Sequence, residues 1–261
     1  MRLKLTLEYA GTRYSGWQIQ QNARTVQGEL EQAIRVATGS ERFELYGSGR
    51  TDAGVHALGQ VAHLEIRVHV PPETLRRRVN DALPSDINLL RVDTAAPRFH
   101  ARHDAVARSY IYQVARRRTA FAKPFVWWVK DDCDAERMRR AARAFVGFHD
   151  FRAFSDDDPK AKSTTVHLES FDVHEDEDLI VLHVEASHFL WKMVRRLVGV
   201  LVDVGRGGMA PEQAGALLEA DPKAVAPLTA PASGLFLERV YYKSDPRDAP
   251  LRGAVRIASI T

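Results

Sequence analysis

The chain has 261 residues, of which 45% are hydrophobic, enough to build the cores of one or two domains. Lysine and arginine number 37 against 34 aspartate and glutamate residues, and this net charge of +3 permits a nucleic-acid partner without requiring one. The single cysteine, Cys133, excludes an intrachain disulfide and a zinc site built from several thiolates, and it favours a reducing compartment. Charged residues interrupt the most apolar stretch, so we expect a cytoplasmic protein that does not enter a membrane.

The periodicity of apolar residues divides the first part of the chain into six elements in the order β-α-β-β-α-β. Strands are predicted where apolar and polar residues alternate, and helices where apolar residues recur every three or four positions. In chain order these elements are a strand at 3–9, a helix between Thr25 as N-cap and Gly39, strands at 43–46 and 60–68, a helix after Pro72 and a strand at 87–92.

The loop between the second and third of these strands carries the residues that most suggest chemistry. Its sequence is GSGRTDAGVHA at residues 47–57, in which Gly47, Gly49 and Gly54 surround Asp52. Glycine adopts positive φ and lets a substrate approach the backbone closely, so we interpret this stretch as an active-site loop. From the residues alone, the alternative is a tight turn in which the aspartate bonds its own backbone.

The second half repeats this order of elements without repeating the sequence. Its elements are a strand at 106–114, a helix at 134–145, strands at 166–173 and 179–185, a helix after Ser187, a short helix after Pro211 and a strand at 235–242. The chain therefore divides into an N-terminal half at 1–104, a C-terminal half at 105–245 and a tail at 246–261. The predicted fold class is α+β, with two tandem β-α-β-β-α-β halves and a ligand-binding cleft between them.

Two side chains of the second half are further candidates for a functional site. Strand alternation places Tyr110 on one face with Arg108 and Tyr112, where its ring can stack on a base or can simply cover the sheet. Arg195 lies about 100° around its helix from the apolar Val194, at the margin of the packing stripe. Such a side chain either points into a cleft or extends into solvent.

Five segments of the chain, in this order, resemble the motifs of the TruA-type tRNA pseudouridine synthase family. They are GRTDAGVHA at 49–57, FHAR at 99–102 with ARSYIY at 107–112, GFHDFRAF at 147–154, FLWKMVR at 189–195 with Gly199, and GLFL at 234–237. The sequence departs from the family pattern at His100, Trp191 and Lys192, beside the positions that the family uses for chemistry. The resemblance implies the pseudouridine synthase fold, in which two related halves share a central mixed sheet and an interdomain catalytic cleft.

The resemblance also implies roles for four residues. Asp52, Tyr110 and Arg195 match the catalytic positions of the family, and Arg50 matches a residue that helps hold the target nucleotide flipped out of its helix. Arg195 would be the ion-pair partner of Asp52, an arrangement that favours the ionised carboxylate. Tyr110 would bind the uracil and move a proton at its C5 atom.

The implied reaction converts uridine to pseudouridine in tRNA. The N1 to C1′ glycosidic bond breaks, the captive base rotates, and C5 joins C1′, so that neither a cofactor nor a metal is needed. The target uridines of the family lie at positions 38, 39 and 40 of the anticodon stem-loop. The family also implies a homodimer whose partner subunit helps to hold the tRNA.

A metal-dependent phosphohydrolase is one alternative that the residues alone leave open. Histidines occur close to carboxylates in the sequences His100-x-x-His103-Asp104 and His149-Asp150. A metal site needs several such ligands to converge, and no matching ligand set accompanies either cluster.

A non-catalytic RNA-binding module is the other alternative. Arginines cluster at 76–78, 116–118, 137–140 and 195–196, and such clusters can form a basic face on a nearly neutral protein. The first two clusters are our candidates for contact with RNA. A binding module would have no need of Asp52, so this residue distinguishes the two classes.

Overall fold

The structure is a computed structural model that describes residues 1–247 and 251–257. The chain forms two compact units, of which the first comprises Met1–Val106 and Leu237–Asp245 and the second the remaining residues. The division of the sequence at residue 104 stays a prediction. Of the predicted tail at 246–261, residues 248–250 and 258–261 lie outside the described residues.

The first unit confirms the predicted order of six elements. They are β1 (Arg2–Tyr9), α1 (Val26–Thr38), β2 (Phe43–Gly47), β3 (His56–Ile66), α2 (Pro72–Ala82) and β4 (Ile87–Thr94). Strand β3 begins four residues earlier than predicted, so the loop that carries Asp52 is shorter than the sequence suggested.

The second unit contains the predicted strands and the two longer predicted helices, together with two additional short strands. The short helix predicted after Pro211 forms as two 3-10 segments, Pro211–Gln213 and Gly215–Glu219. The strands and α-helices of this unit are β5 (Ala105–Ala115), β6 (Trp127–Trp128), α3 (Ala135–Ala142), β7 (Gly147–Asp150), β8 (Thr165–Asp176), β9 (Leu179–Ala186), α4 (Met193–Gly205), α5 (Pro222–Val225) and β10 (Leu235–Tyr242), the last of which continues into the first unit. Strands β6 and β7 are too short to show a period in the sequence. The helix expected after Ser187 begins only at Met193, because the preceding residue, Lys192, has a positive φ of 65°.

Each unit is built on a β-sheet, which confirms the α+β class. In the first unit the strand order is β4-β1-β3-β10, and β2 also pairs with β3. In the second unit the order is β5-β9-β8-β7, in which neighbouring strands are antiparallel, while β6 pairs in parallel with β5. The sheet of the second unit is therefore mixed, as predicted.

The core of the first unit follows from the alternation in β1. Leu3, Leu5 and Leu7 are fully buried, while the residues between them are only partly covered. Helix α1 begins where the Thr25 side chain accepts a hydrogen bond from the backbone of Gly28, and it ends at Gly39, whose φ is 65°. Helix α2 packs against both α1 and β4. Strand β3 pairs with both β1 and β2, and the Asp52 loop lies between the paired ends of β2 and β3.

Candidate active site

The Asp52 loop, residues 47–57, consists of the connection between β2 and β3 together with the last residue of β2 and the first two of β3. Asp52 is partly exposed, Arg50 is exposed and Thr51 is buried, so the loop alternates between the core and the surface. The backbone oxygen of Asp52 accepts a hydrogen bond from the nitrogen of Val55 at 3.1 Å, which closes a turn around the aspartate. Arg50 is therefore exposed at the surface, while the buried side chain of Thr51 anchors the loop next to Asp52.

A buried network of uncharged side chains supports this loop. The Tyr9 hydroxyl lies 2.8 Å from Oγ1 of Thr51, and the amide of Gln60 donates to the backbone oxygen of Gly49 at 3.1 Å. The hydroxyl of Ser48 donates to Oε1 of Gln60 at 3.0 Å. Burial raises the pKa of Tyr9 to about 12, so its hydroxyl keeps its proton at neutral pH. Sequence analysis missed this network, although a glutamine inside an apolar strand is a signal of a buried polar group that needs partners.

The segment that follows β1 packs directly against the loop backbone. A Cβ atom added to Gly11 would lie 1.9 Å from the carbonyl oxygen of Val55, and one added to Gly16 would lie 2.5 Å from that of Thr51. The nitrogen of Trp17 also donates to the Thr51 oxygen at 3.1 Å. Glycine is required at position 11 because no other residue leaves room for the loop.

The three glycines predicted to shape the loop differ from one another. Gly54 has a positive φ of 79°, as expected. Gly47 is required for a different reason, because a Cβ atom there would lie 2.6 Å from the indole nitrogen of Trp17. Gly49 has neither a positive φ nor a close neighbour, and its part in letting a substrate approach the backbone stays a prediction.

Tyr110 lies on β5 in the second unit, where it is partly exposed. Its ring makes an edge-to-face contact with Phe189, with the ring centres 5.0 Å apart. Tyr112, two residues later on the same face, is buried, and its hydroxyl donates to the backbone oxygen of Pro231 at 2.8 Å. Burial also raises the pKa of Tyr112. Of these two tyrosines, only Tyr110 is placed to meet a ligand.

Arg195 lies in the first turn of α4 and is partly exposed. Its Nε donates to the backbone oxygen of Ala230 at 2.7 Å, and the nitrogen of Ala230 donates to the backbone oxygen of Arg195 at 3.0 Å. The helix approaches this segment closely, since a Cβ atom on Gly199 would lie 1.5 Å from the oxygen of Leu228. Both the backbone and the guanidinium of Arg195 are therefore anchored to one neighbouring segment.

Arg196, the next residue, belongs to the interior and not to a basic surface. Its side chain is 3% exposed and forms an ion pair with Asp156, which also binds Lys192 at 2.6 Å. Nε and Nη1 of Arg196 have no hydrogen-bond partner among the described residues. Partial burial acts to raise the pKa of Asp156, but the hydrogen bond from Lys192 and the charge of Arg196 hold that pKa below its usual value. This ion-pair cluster surrounds the turn that carries Arg195, and sequence analysis did not find it.

The two arginine clusters proposed to contact RNA carry acidic neighbours. Arg76 and Arg77 both pair with Glu73 on α2. In the second unit Arg116 and Arg117 pair with acidic residues of β8 and of the turn that follows it. These contacts reduce the positive charge that either cluster offers to a phosphate.

The histidine clusters do not show the geometry of a metal centre. The Nδ1 atom of His100 accepts hydrogen bonds from the backbone nitrogens of Arg102 and His103, and the rings of His100 and His103 lie 4.1 Å apart. Within residues 1–247 and 251–257, no group of three or more histidine, cysteine, aspartate or glutamate side chains is arranged to hold a metal ion. No helix in the same part of the chain is long and apolar enough to cross a membrane.

Comparison with known proteins places this geometry in a family. The family model described as tRNA pseudouridine synthase matches residues 6–104 and 141–243. A protein of Pelobacter propionicus named tRNA pseudouridine synthase A is 42% identical over 92% of this chain and 99% of its own length. A protein of the same name from Agrobacterium fabrum is 40% identical over 92% of this chain and 92% of its own length. A protein of Clostridium tetani named tRNA pseudouridine synthase A 2 is 35% identical over 92% of this chain and 98% of its own length.

Among solved structures, one of a Cbf5-Nop10-Gar1 complex aligns with 78% of this chain and 45% of the matched chain, at 13% identity. Its TM-score of 0.36 is too low to bear on function. The family match and the relatives, by contrast, extend over most of the sequence and include the Asp52 loop. The chain therefore belongs to the tRNA pseudouridine synthase family, the isomerases that convert uridine to pseudouridine in tRNA.

Proposed function

We propose that this chain converts uridine to pseudouridine at positions 38, 39 and 40 of the anticodon stem-loop of tRNA, with Asp52, Tyr110 and Arg195 as its catalytic residues. One observation carries the proposal: the family match extends over both units and includes the loop that holds Asp52. The TruA-type motifs of the sequence support the choice of the anticodon stem-loop. They also support a homodimer that acts in the cytoplasm.

The reaction is an isomerisation in which atoms and electrons balance. The N1 to C1′ bond of the uridine breaks, the base rotates, and C5 bonds to C1′ while a proton leaves C5 and N1 gains one. Asp52 acts as the nucleophile or base of this sequence, a role that requires its ionised form. The rigid network around Tyr9 and Gln60 supports this assignment, because a catalytic group must be held in a fixed position to be effective.

Arg195 acts as the cationic partner that favours ionised Asp52. Its hydrogen bond to Ala230 fixes the plane of the guanidinium, and this anchoring supports a directional role over that of a mobile surface charge. Tyr110 contacts the uracil and moves the proton at C5. The edge-to-face contact with Phe189 restricts the tyrosine ring, which favours a defined position for the hydroxyl.

Arg50 has a supporting role in binding the substrate. A base in a stacked stem is inaccessible, so the target nucleotide must leave the helix before its glycosidic bond can react. The exposed guanidinium of Arg50, two residues before Asp52, is suited to a phosphate of the extruded nucleotide.

The experiment that tests the function is the mapping of pseudouridine in tRNA transcripts after incubation with the purified protein. We expect product at uridines 38, 39 and 40 and none after Asp52→Asn, a nearly isosteric change that removes the charge while leaving tRNA affinity unchanged. Residual turnover of Asp52→Asn within about tenfold of the parent rate would refute the role of Asp52. Product only at uridines outside the anticodon stem-loop would refute the proposed target.

Tyr110→Phe tests the proton-transfer role separately. Loss of the hydroxyl should lower the single-turnover rate by roughly 10² or more with little change in tRNA affinity. Tyr112→Phe is the matched control, because it removes a hydroxyl from the same face of β5 that is bonded to Pro231. A Tyr110→Phe rate near that of the parent would show that the ring only stacks on the base.

A further inference from the structure

One large aromatic side chain stands out in the segment that precedes α4. Trp191 is 52% exposed, whereas its neighbours Leu190 and Met193 are buried at 4% and 0% exposure. The family pattern does not specify a tryptophan at this position, and the chemistry proposed above makes no use of it. An indole of this exposure next to a buried helix is available to a flat apolar ligand.

The backbone of Trp191 is held rigidly on both sides. Its nitrogen donates to the carboxylate of Asp157 at 2.9 Å, and its carbonyl oxygen accepts from the nitrogen of Asp156 at 3.3 Å. The following residue, Lys192, has a positive φ of 65°. A residue other than glycine adopts this backbone conformation only when its surroundings impose it. The main chain that carries the indole is therefore held in place, so a ligand that stacks on Trp191 does not have to order this segment.

Trp191 also lies close to two residues of the proposed site. Phe189, two residues earlier, contacts the ring of Tyr110, and two residues of extended chain span at most about 7 Å. Arg195 follows four residues later. A tRNA whose target uridine lies against Tyr110 would bring an adjacent nucleotide to the indole.

The charges around Trp191 favour a polyanion. The Lys192 ammonium lies 5.1 Å from the centre of the indole ring. The carboxylates of Asp156 and Asp157 are occupied by cations, the first by Lys192 and Arg196 and the second by Lys162. Arg196 is buried and offsets Asp156, and Arg195 is assigned to Asp52, so neither adds charge to this surface. The remaining lysines of the two segments at 156–162 and 191–196 outnumber the remaining aspartates by one; they are Lys160, Lys162 and Lys192 against Asp157 and Asp158. The surplus of positive charge suits a phosphate backbone beside a stacked base.

We propose that Trp191 is a stacking site for a nucleobase of the tRNA that neighbours the target uridine. The inference rests on the proposed function, because the nucleobase is supplied by the tRNA substrate. Any base can stack on an aromatic ring. The site therefore adds affinity and helps to position the RNA strand without selecting a particular base.

Substitution of Trp191 tests the proposal through the affinity for tRNA. Trp191→Ala should weaken binding roughly five- to 150-fold, while Trp191→Phe, which keeps a stacking ring, should stay within about threefold of the parent. The dependence of affinity on salt should not change, because no phosphate contact is lost. Phe148→Ala is the matched control, since Phe148 is an aromatic side chain of the same unit that is 74% exposed and whose ring stacks on His167.

A second measurement identifies the base. The affinities of the parent and of Trp191→Ala are compared for a series of tRNAs, each of which lacks the base at one nucleotide next to the target. When the missing base is the one that stacks on Trp191, the substitution should cause no further loss of affinity. Unchanged affinity of Trp191→Ala, an equal loss in Phe148→Ala, or an equal loss with every tRNA that lacks a base would overturn the proposal. A change in the self-association of Trp191→Ala without RNA would also overturn it, in favour of a contact with a second copy of the chain.

The outcomes separate this inference from the proposed function. Product formation by the parent protein, together with unchanged tRNA affinity in Trp191→Ala, would reject the stacking site alone. Absence of product in the same preparation, with the expected affinities, would reject the proposed function and keep a base-stacking site on an RNA-binding protein.

Discussion

The Asp52 loop of the first unit and the Arg195 turn of the second are held in place by different kinds of interaction. The loop rests on hydroxyl and amide groups and on close contacts between backbones. The turn rests on ion pairs in which Asp156 binds both Lys192 and the buried Arg196. The position of Asp52 thus depends on close packing and on neutral hydrogen bonds, whereas the position of Arg195 depends on ion pairs.

The loop and the turn should therefore tolerate different substitutions. A neutral buried network is insensitive to salt and to pH until a member titrates, and Tyr9 does so only near pH 12. A buried cation, by contrast, depends on one carboxylate for its charge balance. We therefore expect steric changes to disrupt the loop and changes of charge to disrupt the turn.

The largest effect on stability is expected from a steric change at the loop. Gly11→Ala places a Cβ atom 1.9 Å from the oxygen of Val55, a contact between backbones that no rotation of a side chain can relieve. The free energy of unfolding should fall by about 3 to 5 kcal/mol in urea denaturation. Gly49→Ala is the control, because a Cβ atom at that position meets nothing within 4 Å. Equal stabilities of the two variants would contradict the close packing described for the loop.

A change of charge at the turn should be nearly as damaging. Asp156→Asn leaves Arg196, which is 3% exposed, without its counter-charge, and unfolding should become easier by about 3 kcal/mol. The double variant Asp156→Asn with Arg196→Met removes both charges and should recover most of that loss, because an apolar pair of similar volume costs little. A double variant as unstable as Asp156→Asn alone would show that the ion pair is not the cause.

Acid should weaken the first unit through His63, not through the loop. Burial, followed by the charges of His100 and Arg2, lowers the pKa of His63 to about 4, and its Nδ1 accepts a hydrogen bond from the nitrogen of Ala101 at 3.1 Å. The unfolded chain, with a histidine pKa of about 6.5, therefore binds more protons than the folded chain between these two values. The contribution of neutral His63 to the free energy of unfolding is complete above about pH 6.5. It is lost as the pH falls toward 4, where unfolding is easier by about 3 kcal/mol in total.

The variant His63→Asn isolates this titration. Asparagine offers an oxygen acceptor close to the position of Nδ1 and does not titrate. The pH dependence of unfolding between about pH 6.5 and 4 should flatten in this variant, although Glu65 near His63 continues to titrate. The same slope in the parent and the variant would assign the acid sensitivity to other groups.

Much of the fold could be predicted from the sequence because its elements have a clear period. Strand β10 lies at the predicted residues, and α1 is bounded by Thr25 and Gly39 as expected, since local side-chain chemistry sets these ends. The start of α4 could not be predicted, because the positive φ of Lys192 is imposed by tertiary contacts with the segment around Asp156.

The candidate catalytic residues could be predicted from the sequence, but the residues that hold them in place could not. The motif around Asp52 points to the chemistry, yet Tyr9, Gly11 and Gln60 lie outside the loop, and only the folded chain brings them to it. The adjacent arginines at 195 and 196 look alike in the sequence, whereas one is partly exposed and the other is buried. A one-residue step around a helix separates those environments.

The smallest effect is expected from the loss of a single hydroxyl group, which lies between Thr51 and Gln60. Tyr9→Phe keeps the ring and removes the hydroxyl that lies 2.8 Å from Oγ1 of Thr51, so unfolding should become easier by only about 1 kcal/mol. Thr51 adjoins Asp52, and a loop that has lost this hydrogen bond should hold the carboxylate less firmly. We therefore expect the single-turnover rate at saturating tRNA to fall several-fold, roughly 3- to 10-fold, without a change in tRNA affinity.

Tyr242→Phe provides the matched control for that prediction. Tyr242 belongs to the same unit, and its hydroxyl donates to the backbone oxygen of Ala101 at 2.7 Å, away from the Asp52 loop. Its loss should reduce stability by a similar amount and leave the single-turnover rate unchanged, because no residue of the loop is involved. If both variants slow the reaction equally, the neutral network contributes to stability alone, and the position of Asp52 must be set by the glycine contacts of the loop.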